Sequence, residues 1–392
     1  MKVAYYPGCS LGSTAIEYDI STKKVAEIFE IELKEIEDWN CCGATAAHNT
    51  DILLSLALPA RNLAIAEKTG LDILAPCAAC YNRFRNSEYA VRNDAAMQEK
   101  IEKVIDMPYS ASNKTLSILE WLIDAIGLDK IKSKVTSPLQ GMKVASYYGC
   151  LLVRPEAYTG FDDVENPQIM DNIMEALGAT VVDWSHKSEC CGAALATSRP
   201  DIGNRTIYNI LKNAKDSGAE CIVTVCPVCM MNLDMRQAGV EKAFKEKFDI
   251  PVFYITELLA IAAGENPNAV GLNKHFVEAN KYLDRLKEEE ARLKIEAEKA
   301  AAEAKAKADM TPEELEKKVT ALVKGFEKNP ERMASRLIED EERAQVLAEI
   351  LVADEKRARK LAELMITDKD KAPKAADAYV TGELRKREKV NS

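Results

Sequence analysis

The sequence lacks a long apolar segment. No run of about 18 apolar residues, the length that spans a membrane, occurs among its 392 residues. The first residues, MKVAYYPGCS, also lack the basic-then-apolar pattern of a signal peptide. We therefore expect a cytoplasmic protein without a membrane span. The formal net charge of -10 would repel phosphates, so no nucleic-acid partner is expected.

Motifs of common electron carriers are also missing. The chain contains no CxxCxxCxxxCP pattern of a ferredoxin-type cluster and no GxGxxG after a strand. It therefore carries no evident flavin or cubane-cluster relay of its own. Histidine is scarce as well, with three residues in the whole chain.

Cysteine, by contrast, is abundant and unevenly placed. All 11 cysteines lie between Cys9 and Cys229. Because the cytosol keeps thiols reduced, this number indicates metal binding or redox catalysis rather than disulfides. Residues 271–392 contain equal numbers of basic and acidic residues, so the net negative charge lies on the cysteine-bearing part.

Ten of the cysteines form two equivalent sets within an internal repeat. The sequence MKVA at residues 1–4 recurs at 142–145, and the cysteine patterns are C-x31-CC-x34-CxxC and C-x39-CC-x34-CxxC. The first set is Cys9, Cys41, Cys42, Cys77 and Cys80, and the second is Cys150, Cys190, Cys191, Cys226 and Cys229. Cys221 lies in a strand-like apolar run, where we expect a buried core residue.

Each half alternates short apolar strands with helical patterns. This order predicts an open, Rossmann-like α/β sheet in each half, with the cysteines following the carboxyl ends of strands. Five thiols per half can then converge. We predict domains at residues 1–140 and 141–268, followed by an all-α extension at 269–392 after a turn-rich seam at 264–268.

Five thiols, two of them adjacent, suit an iron–sulfur cluster better than zinc. A structural zinc site uses four ligands, usually in pairs two to four residues apart, and would leave one thiol unused in each half. Iron–sulfur clusters accept several thiolates, and a CxxC at a helix start gains from the positive helix end. A metal-free dithiol–disulfide redox protein remains an alternative, since CxxC alone is typical of thioredoxin-like sites.

This doubled pattern resembles the CCG domain, named for the triplet at residues 41–43 and 190–192. Two such domains over about residues 1–265 look like the B subunit of heterodisulfide reductase. The resemblance implies that each set of five cysteines holds one noncubane 4Fe-4S cluster, so that all ten are catalytic, cofactor-binding and metal-ligating. It also implies that a small-molecule disulfide is reduced in a cavity shared by the halves. The partners would be a C subunit with 4Fe-4S clusters and a flavin-containing A subunit.

Two other functions fit the same residues. One is the CCG-domain electron-transfer subunit of a lactate or glycolate oxidation complex. The other is a metal-stapled scaffold whose helical arm is the working part. Near the cysteines, His48 and His186 are candidate proton donors, and the candidate anion-binding cations are Arg83, Arg85, Arg154 and Arg199.

The extension shows helix signals only. An apolar stripe steps from Leu272 through Phe276 and Ala279, and is predicted to continue over Leu293, Ala297, Ala300 and Ala304 in a helix of about 35 residues. Thr311-Pro-Glu-Glu314 predicts a helix start, and Asn329-Pro330 predicts another helix boundary. We interpret this tail as an arm for docking or oligomerisation, against the alternative of a solvated extension without a partner.

Overall fold

The structure is a computed structural model that describes residues 1–308, 311–368 and 370–390. The chain forms two compact units, Met1–Glu290 and Ala291–Ser392. The first contains two four-stranded parallel sheets, and the described part of the second is helical. The predicted fold class, two α/β repeats and an all-α extension, is therefore confirmed.

The first sheet has the order β2-β1-β3-β4. Ala4 pairs with Lys34 on one side and with Ile73 on the other. Its strands are β1 (Lys2–Tyr5), β2 (Glu32–Glu35), β3 (Ile73–Leu74) and β4 (Thr115–Leu116). Parallel strands need crossover connections, which helices provide here. These helices are α1 (Gly8–Leu11), α2 (Ile16–Ile28), α3 (Ala47–Thr50), α4 (Ile52–Glu67), α5 (Ala78–Asn93), α6 (Ala95–Ile105), α7 (Ile118–Glu120), continued by a π-helical segment (Trp121–Ile126), and α8 (Leu128–Ser133).

The second sheet repeats this arrangement, with the order β6-β5-β7-β8. Its strands are β5 (Lys143–Tyr147), β6 (Thr180–Val181), β7 (Cys221–Thr224) and β8 (Val252–Tyr254). The helices are α9 (Cys150–Val153), α10 (Ile169–Ala176), α11 (Leu195–Ser198), α12 (Pro200–Asp216), α13 (Pro227–Met230), continued by a π-helical segment (Met231–Met235), α14 (Gln237–Phe244) and α15 (Ile255–Ala262). Both sheets reverse their strand order beside the central pair, at β1/β3 and β5/β7. Open α/β sheets place their sites in the crevice at this point.

The two halves share one hydrophobic core and contact each other directly. Helix α2 of the first half packs on α15 of the second, where the buried hydroxyls of Ser21 and Thr256 are 2.7 Å apart. Nearby, Asn82 donates its amide to the carbonyl oxygens of Leu151 and Arg154, both at 2.8 Å. The halves therefore form a single body.

This body continues past the predicted seam at residues 264–268 and ends at Glu290. Two 3-10 turns, Pro267–Val270 and Leu272–Lys274, follow α15, and Val270 and Leu272 are buried in its core. Between them Gly271 has φ +100°, and a Cβ there would lie 2.5 Å from that of Glu17. The helix predicted from Leu272 instead begins at Ala279, because these turns fill a groove beside α2.

The described helices from this point are α16 (Ala279–Ala308), which contains the boundary between the units, α17 (Pro312–Lys328), α18 (Pro330–Ala334), α19 (Glu341–Ala353), α20 (Glu355–Thr367) and α21 (Lys371–Val390). The predicted start at Thr311 is confirmed by a capping box with Glu314. The predicted boundary at Asn329 coincides with the N-cap position of α18, where the Asn329 side chain makes no capping hydrogen bond. The side chains of Leu293, Ala297, Ala300 and Ala304 lie outside the described residues.

The second unit has a core of its own. Phe326, Leu347, Leu361 and Ala376 are fully buried in one cluster. The Asp340 and Asp354 side chains each accept a backbone N–H three residues on and start α19 and α20. Among the residues that the structure describes, no helix is both long and apolar enough to cross a membrane.

Candidate functional site

The five cysteines of the first half follow three adjacent strands. Cys9 lies in α1 after β1, Cys41 and Cys42 lie in the loop after β2, and Cys77 is the N-cap of α5 after β3. These strand ends meet at one edge of the sheet, and the Sγ atoms of Cys42 and Cys80 are 3.2 Å apart. The loops thus bring Cys42 and Cys80, which are 38 residues apart in sequence, into contact.

The second half builds the same arrangement. Cys150 begins α9 after β5, Cys190 and Cys191 follow β6, and Cys226 is the N-cap of α13 after β7. The Sγ atoms of Cys191 and Cys229 are 3.6 Å apart. The equivalent pair is therefore in contact in both halves.

Exposure divides each set in the same way. The second cysteine of each vicinal pair and both members of each CxxC are buried, and the buried cysteines are Cys42, Cys77, Cys80, Cys191, Cys226 and Cys229. Cys9, Cys41 and Cys190 are exposed and Cys150 is half-buried. Each site consequently has a buried inner side and an outer side open to solvent.

Contacts between thiols shift their acidities in opposite directions. Hydrogen bonds from Cys41 and Cys80 lower the pKa of the Cys42 thiol to about 4, while the pKa of Cys80 is raised. In the second half, the hydrogen bond from Cys150 lowers the pKa of Cys190 to about 6. Each site thus favours at least one thiolate at neutral pH, which is the form that binds metal.

A tyrosine fixes the vicinal cysteine loop in each half. The hydroxyl of Tyr6 donates to the carbonyl of Asn40 at 2.9 Å, and that of Tyr147 donates to the carbonyl of Glu189 at 2.6 Å. Both acceptors directly precede a vicinal cysteine pair. Trp39 and Trp184 pack on these tyrosine rings, with centroid distances of 5.6 and 6.1 Å respectively.

These tyrosines were missed by sequence reasoning, although a signal was available. Tyr6 and Tyr147 occupy equivalent positions at the end of the first strand of each half. The tryptophans of the repeated Asp-Trp pair, Trp39 and Trp184, are likewise equivalent to each other. Their repetition indicated that these residues have the same role in both halves. The sequence did not indicate that the tyrosine hydroxyls reach the cysteine loops.

Glycine lets the backbone approach the thiols closely. Gly8 and Gly149 have φ +64° and +68°, in the left-handed region where glycine is unstrained. A Cβ at Gly8 would lie 3.4 Å from the Cys80 Sγ, and one at Gly149 would lie 3.2 Å from the Cys229 Sγ. Both glycines directly precede the first cysteine of a set, so space beside the CxxC is kept free of side chains.

The two sets meet at the boundary between the halves. Cys77 and Cys226, the first cysteines of the two CxxC motifs, lie close enough across this boundary that Cys226 raises the pKa of the Cys77 thiol. Tyr18, fully buried, places its hydroxyl 3.1 Å from the carbonyl oxygens of both Pro76 and Val225. These carbonyls directly precede the two cysteines, so one hydroxyl sits at the junction of both sites.

The donor set suits a polynuclear group. Within the described residues, no three His, Cys, Asp or Glu side chains are arranged to hold a single metal ion. Each site instead offers five thiols, exposed or half-buried at one side and buried at the other, with glycine at the position where a Cβ would intrude. Thiolate sulfur is the donor that iron–sulfur clusters use, and the residues present fit such a group.

The four candidate anion-binding arginines differ in whether they already have partners within the protein. Arg85 binds Glu88 and the Tyr158 carbonyl, Arg154 binds Glu165, and Arg199 binds Asp201. Arg83 differs, because its Nε is buried without a hydrogen-bond partner.

The histidines lie outside the two thiol sets. His48 is exposed on α3, and His186 contacts Ser185 at 3.0 Å. His275, assigned to the tail from sequence, is instead buried in the first unit, 2.9 Å from Glu257.

Two further expectations concern Cys221 and the cavity shared by the two halves. Cys221 is fully buried in β7, and burial raises the pKa of its thiol to about 12, in keeping with a core residue. A cavity of about 290 Å³ is lined by both halves, including Arg85, Lys114 and Phe161. None of the ten repeated cysteines lines it, so it is not the shared cavity that the resemblance implied.

Comparison with known proteins agrees with this geometry. The family model described as "Cysteine-rich domain" (CCG) matches residues 3–85 and 144–234. The 8-methylmenaquinol:fumarate reductase membrane anchor subunit of Wolinella succinogenes is 35% identical over 283 residues, covering 71% of this chain and 98% of that protein. The chain belongs to the two-domain CCG family.

Members of this family include the proteins suspected from the sequence. The B subunit of the ferredoxin/F420H2-dependent CoB-CoM heterodisulfide reductase of Methanosarcina acetivorans is 29% identical, over 75% of this chain and 99% of that protein. In fold, the chain is similar to a hypothetical protein from Helicobacter pylori, with TM-score 0.58 and 13% identity. That match covers 71% of this chain and 52% of the other.

Proposed function

We propose that the chain is the catalytic subunit of a heterodisulfide reductase-type complex in the cytoplasm, and that it reduces a small-molecule disulfide to two thiols. The observation that carries the proposal is the junction of the two five-thiol sites at Tyr18, whose hydroxyl lies 3.1 Å from the carbonyl oxygens of Pro76 and Val225, the residues directly before Cys77 and Cys226. A disulfide has two sulfurs and needs two electrons. Two adjacent, equivalent sites match that requirement.

Each site would hold one noncubane 4Fe-4S cluster on its five cysteines, which are Cys9, Cys41, Cys42, Cys77 and Cys80 in the first half and Cys150, Cys190, Cys191, Cys226 and Cys229 in the second. When bound, each cluster supplies one electron for the cleavage. The chain's own residues supply the thiolates, aided by helix N-termini at Cys77 and Cys226. Tyr6 and Tyr147 orient the vicinal pairs, and the buried inner side excludes water.

A substrate would approach from the outer side of the sites. Cys9, Cys41 and Cys190 are exposed there, so a small molecule reaches each set without opening the core. Electrons would come from an iron–sulfur partner resembling the C subunit, fed by a flavin-containing A subunit. The second unit, with its own core, is the part of the chain left over for docking such a partner or a second copy.

Metal analysis of anaerobically purified protein tests the proposal first. We expect iron and acid-labile sulfide in equal amounts, with zinc absent. Cys42→Ala and Cys191→Ala should each remove about half of the iron, while the control Cys221→Ala should retain all of it. A protein that binds zinc instead, or in which Cys221→Ala loses as much iron as the other two variants, would contradict the assignment of the sites.

Substrate reduction is tested separately. Candidate disulfides are added to the oxidised protein while the electron paramagnetic resonance spectrum is recorded during reductive titration. We expect a new signal that depends on the disulfide and that is lost in both Cys42→Ala and Cys191→Ala. If the iron is present but no disulfide alters the spectrum, disulfide reduction is wrong for this chain.

A second candidate function is an electron-transfer subunit in a complex that acts on an organic acid. It is favoured by the identity to the fumarate reductase subunit of Wolinella succinogenes, which exceeds the identity to the Methanosarcina acetivorans protein. The lactate or glycolate oxidation complex suggested by the sequence belongs to the same class. In this case the clusters would be reduced and reoxidised by protein partners, and disulfides would leave the spectrum unchanged.

A further inference from the structure

The two sites differ at one equivalent position beside the CxxC. Arg83 lies three residues after Cys80, and Asn232 lies three residues after Cys229. A position one turn beyond a cysteine on the same helix faces the same side. The repeat therefore places a cation next to one set of thiols and a neutral amide next to the other.

Asn232 makes hydrogen bonds to the cysteine loop of the second site. It is fully buried, and its Nδ2 lies 3.4 Å from the Cys191 Sγ and 3.2 Å from the Ala193 carbonyl oxygen. Its Oδ1 accepts a hydrogen bond from the Arg236 Nε at 3.1 Å. The positive charge nearest this contact is thus one side chain removed from the sulfur.

Arg83 is arranged differently. Its Nε is buried and has no hydrogen-bond partner, whereas Arg85 on the same helix is bound to Glu88 and the Tyr158 carbonyl. The charge of Arg83, whose Nε is buried without a hydrogen-bond partner one helical turn after Cys80, therefore interacts with the thiolates through a medium of lower dielectric constant than water.

The backbone differs at the same place. After the first CxxC the chain continues as a regular helix, α5, whereas after the second it becomes π-helical at Met231–Met235. The π-helical segment contains Asn232 and turns its amide toward Cys191. The inequality between the sites is therefore built into both side chain and backbone.

We propose that Arg83 makes the two centres electrically unequal, so that the centre held by the first half is the easier to reduce. The inference rests on the proposed function, because it requires a redox centre in each half. Reduction adds one negative charge to a centre, and an adjacent cation stabilises the reduced form more than a dipole with a remote cation does. Arg83 acts as a positioning residue through this charge and need not touch substrate.

The test is a dithionite titration of the full-length, anaerobically purified chain, followed by electron paramagnetic resonance. Wild type should show two midpoint potentials. Arg83→Asn, which copies the second half, should lower the higher one so that the ratio of reduced first to reduced second centre falls about tenfold, or ~59 mV for a one-electron couple. Arg83→Lys should keep the gap, and Asn232→Ala should move the other potential alone.

Lys100→Asn is the matched control, since it removes the same charge from an exposed position on α6. Unchanged potentials in Arg83→Asn, equal shifts of both, or a shift as large in Lys100→Asn would overturn the proposal. The proposal would also be overturned if Arg83→Lys shifted the potentials as Arg83→Asn does. If Arg83→Asn loses iron, Arg83→Gln is used in its place. Absence of iron from wild type would refute the proposed function itself, whereas unchanged potentials with full iron refute only the role of Arg83.

Discussion

Replacing Tyr18 by phenylalanine tests how the two halves are held in register. The Tyr18 hydroxyl lies 3.1 Å from the carbonyl oxygens of Pro76 and Val225, and its ring stacks on Tyr254 at 4.0 Å. Phenylalanine keeps the stack but removes the single O–H that the two buried carbonyl oxygens share. Such a loss costs about 1–3 kcal/mol of unfolding free energy.

Tyr254 supplies the matched control from the same pair of rings. Its hydroxyl is buried without a hydrogen-bond partner. Tyr254→Phe therefore removes an unsatisfied polar group, and we expect the stability to stay within ~0.5 kcal/mol of wild type or to rise. The two variants change the same atom type in one stack, yet the structure predicts different outcomes.

Equilibrium urea unfolding followed by tryptophan fluorescence measures this difference. The three tryptophans, Trp39, Trp121 and Trp184, all lie in the first unit, so the signal reports on that unit. Variants are compared at equal iron content, because bound metal adds to apparent stability. Equal midpoints for Tyr18→Phe and wild type, or an equal loss in Tyr254→Phe, would refute the reasoning.

Three further outcomes follow from the geometry. Burial lowers the pKa of His275, but the carboxylates of Glu257, Asp234 and Glu17 together outweigh it, so that this pKa is raised above its usual 6.5. The charged imidazolium therefore stabilises the fold fully below about pH 6.5. That stability is lost as pH rises through the higher folded pKa, so urea midpoints of wild type should fall over this range, and those of His275→Gln should fall less. Gly149→Ala should cost about 1–2 kcal/mol from its positive φ and also lose iron from the second site, whereas Gly218→Ala, with positive φ and open space, should cost stability but keep iron in metal assays. Deleting residues 291–392 should leave the iron content unchanged on metal analysis, since the cysteines lie in the first unit; loss of iron would contradict the division into units.

Much of the fold was predictable because the same pattern of strands, helices and cysteines occurs in both halves of the sequence. The helix start at Thr311 and the helix boundary at Asn329 were located from capping residues and prolines alone. The position of the cysteines at strand ends followed from the α/β alternation. Such local signals are reliable because the interactions that they predict join residues only a few positions apart in the chain.

The predicted seam at residues 264–268 and the boundary between the two compact units lie at different positions. Gly264-Glu-Asn-Pro-Asn268 reads as a linker, since turn residues look alike in linkers and in packed turns. What fixes these turns is tertiary, namely the close approach of Gly271 to Glu17 and the burial of Leu272. For the same reason the His275–Glu257 contact could not be predicted, because it joins groups whose neighbourhood only the fold defines.

The repeat also explains why the sites are alike at their core and unlike at their margins. Thiols, glycines and loop-holding tyrosines recur because each half must build the same strand-end crevice. Arg83 and Asn232 do not recur, and neither does the π-helical segment that follows the second CxxC. A symmetric pair of centres would share an added electron equally. A fixed charge at one of them gives the electron a preferred position, so an ordered sequence of two one-electron steps becomes possible within a duplicated fold.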